Sequence, residues 1–178
     1  MNRFHVLTGA PGTGKTAILD ALGDDFTVMP EPARRVLAEW RAAGNPLPAR
    51  MEARLMVRRM TELAIDDHAE AGRESGPVLF DRGVVDSVAY ARHLGLDADE
   101  AFRAAASHAY NRRVLLTTPW REIYATDDER TMSFKDVERF HEAVVRTYLD
   151  AGYDLVVVPD APLAERVEFV RRHIGVED

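Results

Sequence analysis

Residues Gly9-Ala10-Pro11-Gly12-Thr13-Gly14-Lys15-Thr16 set three glycines, a lysine and a hydroxyl in the spacing G-x-x-x-x-G-K-[ST]. A run of this kind binds anions. The glycines let the backbone curl until successive N–H groups face one anion, and a helix beginning at its end adds the partial positive charge of its N-terminus. Lys15 would then reach the β- and γ-phosphates of a nucleotide while the Thr16 hydroxyl ligates Mg²⁺, so ATP and Mg²⁺ are the expected cofactors. The context agrees. The apolar stretch Phe4–Leu7 precedes the run, and a helical-period segment from Lys15 to Leu22 follows it.

A second chemical element is Val78-Leu79-Phe80-Asp81, an apolar strand that puts Asp81 at its carboxyl end, facing the metal. The next residue is Arg82, where a motor-type ATPase carries a glutamate to activate water. A Ras-type GTPase is also excluded. Asp81-Arg82-Gly83 is not an Asp-x-x-Gly switch, and Val114-Leu115-Leu116 runs into Thr117-Thr118-Pro119 instead of a base-reading Asn-Lys-x-Asp. Asp81-Arg82 resembles the Asp-Arg of thymidylate kinase and the Glu-Arg-Ser of deoxynucleoside kinases, which implies that Arg82 handles phosphate charge as a catalytic and acceptor-side residue.

Glu31, in Pro30-Glu31-Pro32 after the second strand, stands where a phosphate acceptor would lie. A carboxylate there can take the proton of a hydroxyl that attacks the γ-phosphate; the plainer reading is a solvated glutamate in a proline turn. Arg34, on the same helical face, could grip an acceptor's phosphate or carboxylate with both arms of its fork. Arg50, Arg54 and Arg58 form a stripe at i, i+4, i+8, read either as a solvated face paired with Glu52 and Glu62 or as a rim attracting an anionic acceptor. Thr117–Thr131 is polar and reads as a mobile flap. In it Arg130 and Arg121 are candidates for delivering a guanidinium to the transferring phosphate, with an ion pair to Asp127 or Asp128 as the plainer reading. Trp120 and Tyr124 could stack on a base, or simply pack in the core. The six histidines show no metal-ligand spacing and are read as structural.

Positioning these groups requires an alternating chain, and the sequence alternates. Short apolar runs at Phe4–Leu7, Phe26–Met29, Val78–Phe80, Val114–Leu116 and Leu155–Val158 read as five strands. Between and after them lie helical segments at Lys15–Leu22, Ala33–Ala43, Ala49–Ala71, Val85–His93, Asp99–Tyr110, Ser133–Ala151 and Asp160–His173. Gly44-Asn45-Pro46 breaks the long region, Asp97 and Glu100 have capping-box spacing, and Ser133 and Asp160 are read as N-caps. Strands without polar alternation are buried on both faces. The predicted fold is therefore α/β: a doubly wound, five-stranded parallel sheet with helices on both faces. It forms one domain over 1–178, with an acceptor-side helical region at about 32–75 and a short lid at about 117–133.

Composition narrows the partners. Thirty acidic residues against 23 basic ones give a net charge of −7, which argues against nucleic-acid binding. With no cysteine, disulfides, thiolate catalysis and cysteine-bound zinc are excluded. No signal-peptide pattern is present, and Leu155–Val158 is the longest apolar run, far short of the ~18 residues of a membrane span. The expected protein is cytoplasmic, without membrane contact, and compatible with a homodimer.

The order of motifs resembles the P-loop ATPase family that includes the nicotinamide riboside kinase-like domains. The likeness runs through the Gly-rich loop, Glu31 to Arg34, Phe80-Asp81-Arg82-Gly83, Asp86 to Ala89-Tyr90 (one residue longer here), Pro119-Trp120-Arg121-Glu122-Ile123-Tyr124, Asp128-Glu129-Arg130 and Gly152 to Pro159. It covers nearly the whole chain and implies an adenylate kinase-like core, with acceptors that vary. The expected function is a small-molecule kinase using Mg-ATP on a nucleoside-, nucleotide- or metabolite-like acceptor. A nucleotide-binding switch ATPase and an antibiotic or sugar phosphotransferase are the alternatives.

Overall fold

The computed structural model describes residues 3–45, 52–124 and 132–175. Strands β1 (Phe4–Gly9), β2 (Thr27–Met29), β3 (Val78–Asp81), β4 (Arg113–Thr117) and β5 (Asp154–Val157) make one parallel sheet in the order β2-β3-β1-β4-β5. Helices α1 (Lys15–Leu22), α2 (Pro32–Ala42), α3 (Ala53–Ala71), α4 (Val84–His93), α5 (Asp99–Ser107), α6 (Phe134–Asp150) and α7 (Leu163–Ile174) connect and follow the strands. This is the doubly wound α/β sheet expected from the alternation of apolar runs and helical segments.

The period of two along each strand divides the core between the faces. Leu7, Leu79 and Leu115 point to one side and pack with Ile18, Leu22, Val167 and Val170 of α1 and α7. Val6, Phe80, Val114 and Leu116 point to the other, against α3, α4 and α6 through Ala64, Val88, Phe140 and Tyr148. A smaller cluster of Ala33, Val36, Met60 and Leu63 holds α2 against α3.

Local sequence explains the joints, with two corrections. Pro30 closes β2 and Pro32 opens α2, where a missing N–H is harmless, so Glu31 is pinned between them at the carboxyl end of β2. Ser133 caps α6, its hydroxyl accepting from the Asp136 N–H at 3.2 Å. Asp160 does not cap α7. That helix begins three residues after Asp160, behind Pro162, and the Asp160 carboxylate accepts instead from the Thr118 hydroxyl at 3.0 Å. Asp97 and Glu100 form no capping box either: α5 starts after Ala98, and Asp97 accepts from the Asp99 N–H in a local turn. Of the lid, residues 125–131, and with them Arg130, Asp127 and Asp128, lie outside the described residues, as does Arg50.

Candidate active site

The Gly-rich loop leaves the carboxyl end of β1, the central strand of the sheet, flanked by β3 and β4. Gly9 carries φ of 139°, and a Cβ there would meet the Thr117 carbonyl of β4 at 2.3 Å, so only glycine lets the chain leave the sheet this way. The Thr13 hydroxyl holds the loop closed: it donates to the Ala10 carbonyl at 2.9 Å and lies 2.6 Å from the Thr117 hydroxyl. Lys15 is buried at the first position of α1, with Nζ donating to the Gly9 and Ala10 carbonyls at 3.2 and 3.0 Å. Burial, aided by the nearby Arg82, pushes its ammonium down to about 8.

Facing the loop across a cavity of about 470 Å³ is a chain of ion pairs. Glu31 accepts from Arg82 Nε at 2.8 Å and from Arg34 Nε at 3.0 Å. Arg82 continues to Asp86 at 3.0 Å through Nη1, and its guanidinium lies over the rings of Tyr90 and Phe140 at 5.7 and 5.6 Å. Arg34 Nη2 also reaches the Thr16 hydroxyl at 3.4 Å. Burial favours the neutral form of Glu31, but Arg82, Lys15 and Arg34 outweigh it and hold the carboxyl down to about 2.

Arg82 is the one described non-glycine residue with positive φ, at 72°. That left-handed turn is strained for a side chain of this size and is tolerated where the surroundings over-determine it. Here they do: the Arg82 N–H donates to the Leu7 carbonyl at 3.2 Å and its side chain, 1% exposed, is held by two carboxylates.

Asp81, paired in register with Leu7, ends β3 beside this network. It is buried, and its Oδ1 has no hydrogen-bond partner among the described residues. A buried carboxylate oxygen left without a donor is costly unless a cation completes it. Burial pushes the Asp81 carboxyl up to about 6 against the pull of Lys15. Asp81 does not line the cavity of about 470 Å³, but it shares a smaller neighbouring one with Thr16, Glu31 and Arg34, and an orphaned oxygen beside the Thr16 hydroxyl suits a hard divalent cation.

Lys15, Thr16, Glu31, Arg34 and Arg82, named from sequence, thus line one cavity together with Pro11 to Gly14. Arg121 does not join them: it is exposed, with its guanidinium stacked 4.2 Å above the Phe134 ring. Arg58 pairs with Glu62 at 3.1 Å on an exposed helix face, in keeping with the solvated reading of that stripe. Tyr124 packs edge-on against Phe134 and donates to the Met132 carbonyl.

Three residues carry more of the site than their sequence context suggests. Asp86 accepts from the Thr8 hydroxyl at 2.6 Å, Arg82, the Gly83 N–H at 2.9 Å and the Tyr148 hydroxyl at 2.5 Å. Its i, i+4 spacing from Arg82 was the available signal. Tyr148 and Arg166 come from helices far along the chain, and nothing local to either marks it.

Fold and site together define a P-loop NTPase. Residues 4–166 match the AAA domain family, and the chain belongs to that family. A structure of NadR protein in complex with NR superimposes with a TM-score of 0.78 at 21% identity, covering 99% of this chain and 52% of that one. NadR in complex with NAD and AMP-PNP gives 0.71 at 20% identity, covering 99% and 51%. Deoxyadenosine kinase from M. mycoides, with products dCMP and dCDP bound, gives 0.68 at 12% identity, covering 98% and 100%. The chain therefore spans about half the length of the NadR chains it resembles and the whole of the deoxyadenosine kinase. No curated protein sequence matches it. Among the described residues no helix is long and apolar enough to cross a membrane.

Proposed function

We propose that this chain is a small-molecule kinase that moves the γ-phosphoryl group of Mg-ATP onto a hydroxyl of a nucleoside-, nucleotide- or metabolite-like acceptor. One observation carries the reading. The Glu31 carboxylate shares a cavity with Lys15 and Thr16, held in place from two sides by Arg82 and Arg34. A switch or motor ATPase needs a group to activate water, whereas this arrangement offers a carboxylate on the far side of the cavity from the phosphate loop. Apart from Asp20, the wall beyond the loop and the ion pairs is largely apolar, with Ala33, Leu37, Met56, Tyr90 and Met132, and suits the body of a small organic acceptor. NadR bound to NR and the nucleotide products of deoxyadenosine kinase support an acceptor of nucleoside type. The lid at 117–133 and the helical region at 32–75 would close the two ends of the same domain.

In the reaction the acceptor oxygen forms a bond to the γ-phosphorus while the bridging bond to the β-phosphate breaks, and ADP leaves with that electron pair. The loop N–H groups and Lys15 hold the β- and γ-phosphates, and Arg82 adds positive charge opposite them. Asp81 and Thr16 would hold Mg²⁺, which when bound supplies charge neutralisation on the phosphate oxygens. Glu31 accepts a hydrogen bond from the attacking hydroxyl and orients it, and the hydroxyl proton passes to an oxygen of the transferred phosphoryl group as the new bond forms. A carboxyl held down near 2 is a weak base, so orientation outweighs proton abstraction. Arg130 is the candidate for a lid arginine, and Arg121 could serve only by leaving the Phe134 ring.

The test is acceptor-dependent ADP release over a panel of hydroxyl compounds. Turnover that no compound raises above the slow background would return the chain to the switch reading. With an acceptor in hand, Glu31→Gln is expected to lower kcat by about 10²-fold, the low end for a positioned acid–base group, with little change in ATP affinity. Unaltered kinetics would remove Glu31 from the reaction. Asp81→Asn is expected to raise the Mg²⁺ concentration for half-maximal activity while leaving nucleotide affinity nearly constant, because the carboxylate serves the metal and not the base or ribose. Superimposable magnesium titrations of variant and wild type would leave Asp81 a structural role only.

A further inference from the structure

Arg166 lies in the first turn of α7 and is 3% exposed, yet it is not part of the cavity wall. Its side chain crosses to the phosphate loop, where Nη2 donates to the Thr13 carbonyl at 2.8 Å. Nη1 lies directly against Gly14, so that a Cβ at Gly14 would approach it to 2.5 Å. The guanidinium faces the Trp120 ring at 5.8 Å. Its Nε has no hydrogen-bond partner, and no carboxylate among the described residues pairs with it; the nearby Asp160 is engaged by Thr118. The other site arginines differ. Arg82 is held by Glu31 and Asp86, and Arg34 by Glu31.

The Thr13 carbonyl and the Gly14 N–H belong to one planar trans peptide and point in opposite directions. A donor outside the cavity that fixes the carbonyl therefore fixes the N–H toward the cavity. No ion pair holds Arg166 among the described residues, and its charge, eased only by the nearby Asp160, also adds to the field that an anion on the loop experiences. We propose that Arg166 is a positioning residue for the nucleotide phosphates: from α7 it locks the Thr13–Gly14 peptide so that the Gly14 N–H faces the phosphate, and its charge strengthens the loop's hold on anions. Gly14 is glycine first because its φ is 83°, and a Cβ there would in addition displace the guanidinium from its place against the loop. The inference rests on the phosphate-binding reading of the loop.

The experiment measures binding of ATP, inorganic tripolyphosphate and adenosine by calorimetry to the wild type, Arg166→Met and Arg166→Lys, with thermal melts to establish folding. Loss of one charged hydrogen bond predicts that Arg166→Met weakens ATP and tripolyphosphate by about 10- to 100-fold, with adenosine affinity unchanged. Arg166→Lys, which keeps the charge and one donor, is expected to recover part of that loss. A folded Met variant with wild-type tripolyphosphate affinity overturns the proposal, and so does an equal loss for adenosine, which would mark a contact to the base. Should Arg166→Met not fold, the Lys variant decides: its single donor is expected to weaken tripolyphosphate relative to adenosine, and equal affinities overturn the proposal. A wild-type protein that binds neither ATP nor tripolyphosphate would instead bring down the phosphate-loop reading itself.

Discussion

Asp86→Ala is expected to lower unfolding free energy by about 3–5 kcal/mol, the cost of removing one partner from a buried ion pair. The carboxylate serves four donors, and without it Arg82 keeps a buried charge balanced by Glu31 alone while the Thr8 and Tyr148 hydroxyls lose their acceptor. Against a typical total stability of about 5–15 kcal/mol, that loss leaves the variant marginal at best. Chemical denaturation gives the number. The comparison is Asp150→Ala, whose pair with Arg92 spans a similar distance of 2.7 Å but is about half exposed, and which is expected to cost no more than about 1 kcal/mol. If Asp86→Ala falls in the same range as Asp150→Ala, the network does not hold Arg82 in its strained turn.

Lys15→Ala is expected to reduce phosphoryl transfer by about 10²–10³-fold, the scale of losing one preorganised electrostatic contact to the transferring group. The fold should survive, because alanine suits the first position of α1 and no carboxylate is left unpaired. The stability of the pair also has a signed pH dependence. The Lys15 ammonium is held down to about 8 from 10.5, so between those values the unfolded chain binds more protons than the folded one. Stability of the wild type relative to Lys15→Ala therefore rises from pH 8 to 10.5 and is lowest below pH 8, where the buried charge is fully present. Parallel denaturation series at pH 7 and pH 10 read the difference. Turnover equal to wild type in a folded variant would sink the phosphate assignment, and a flat pH difference would mean that Lys15 is not desolvated.

Residues that are neighbours in sequence were legible, and residues joined across the fold were not. The loop from Gly9 to Thr16 could be read because its geometry comes from glycines and a helix start within eight residues. Glu31 could be placed because prolines on either side fix where β2 stops and α2 begins. The five strands followed from apolar runs too short to be anything else in a layered fold. Asp160 failed as a cap because Pro162 offered the helix a later start and Thr118, 42 residues away, offered the carboxylate a donor. The left-handed turn at Arg82 was invisible for a related reason: no local rule favours arginine there, and the turn is sustained by Leu7, Glu31 and Asp86 acting together. The role of Arg166 depends on α7 lying over the loop, a contact between residues 153 positions apart.

The strand order has a consequence for how the chain comes to be folded during synthesis. Of the five strands in the sheet β1 precedes the rest in the chain, yet both of its partners come late: β3 begins at Val78 and β4 at Arg113. Until β3 has left the ribosome, the apolar residues Phe4, Val6 and Leu7 have no strand to pair with, and every pairing in the sheet requires a crossover of tens of residues. Contacts this far apart form slowly and leave sheet edges open to other chains in the interval. The phosphate loop, hung on the end of β1 and buttressed by Thr117, cannot take shape before β4 is complete. Nascent chains truncated between β3 and β4 are accordingly expected to engage chaperones, and nucleotide cannot stabilise them.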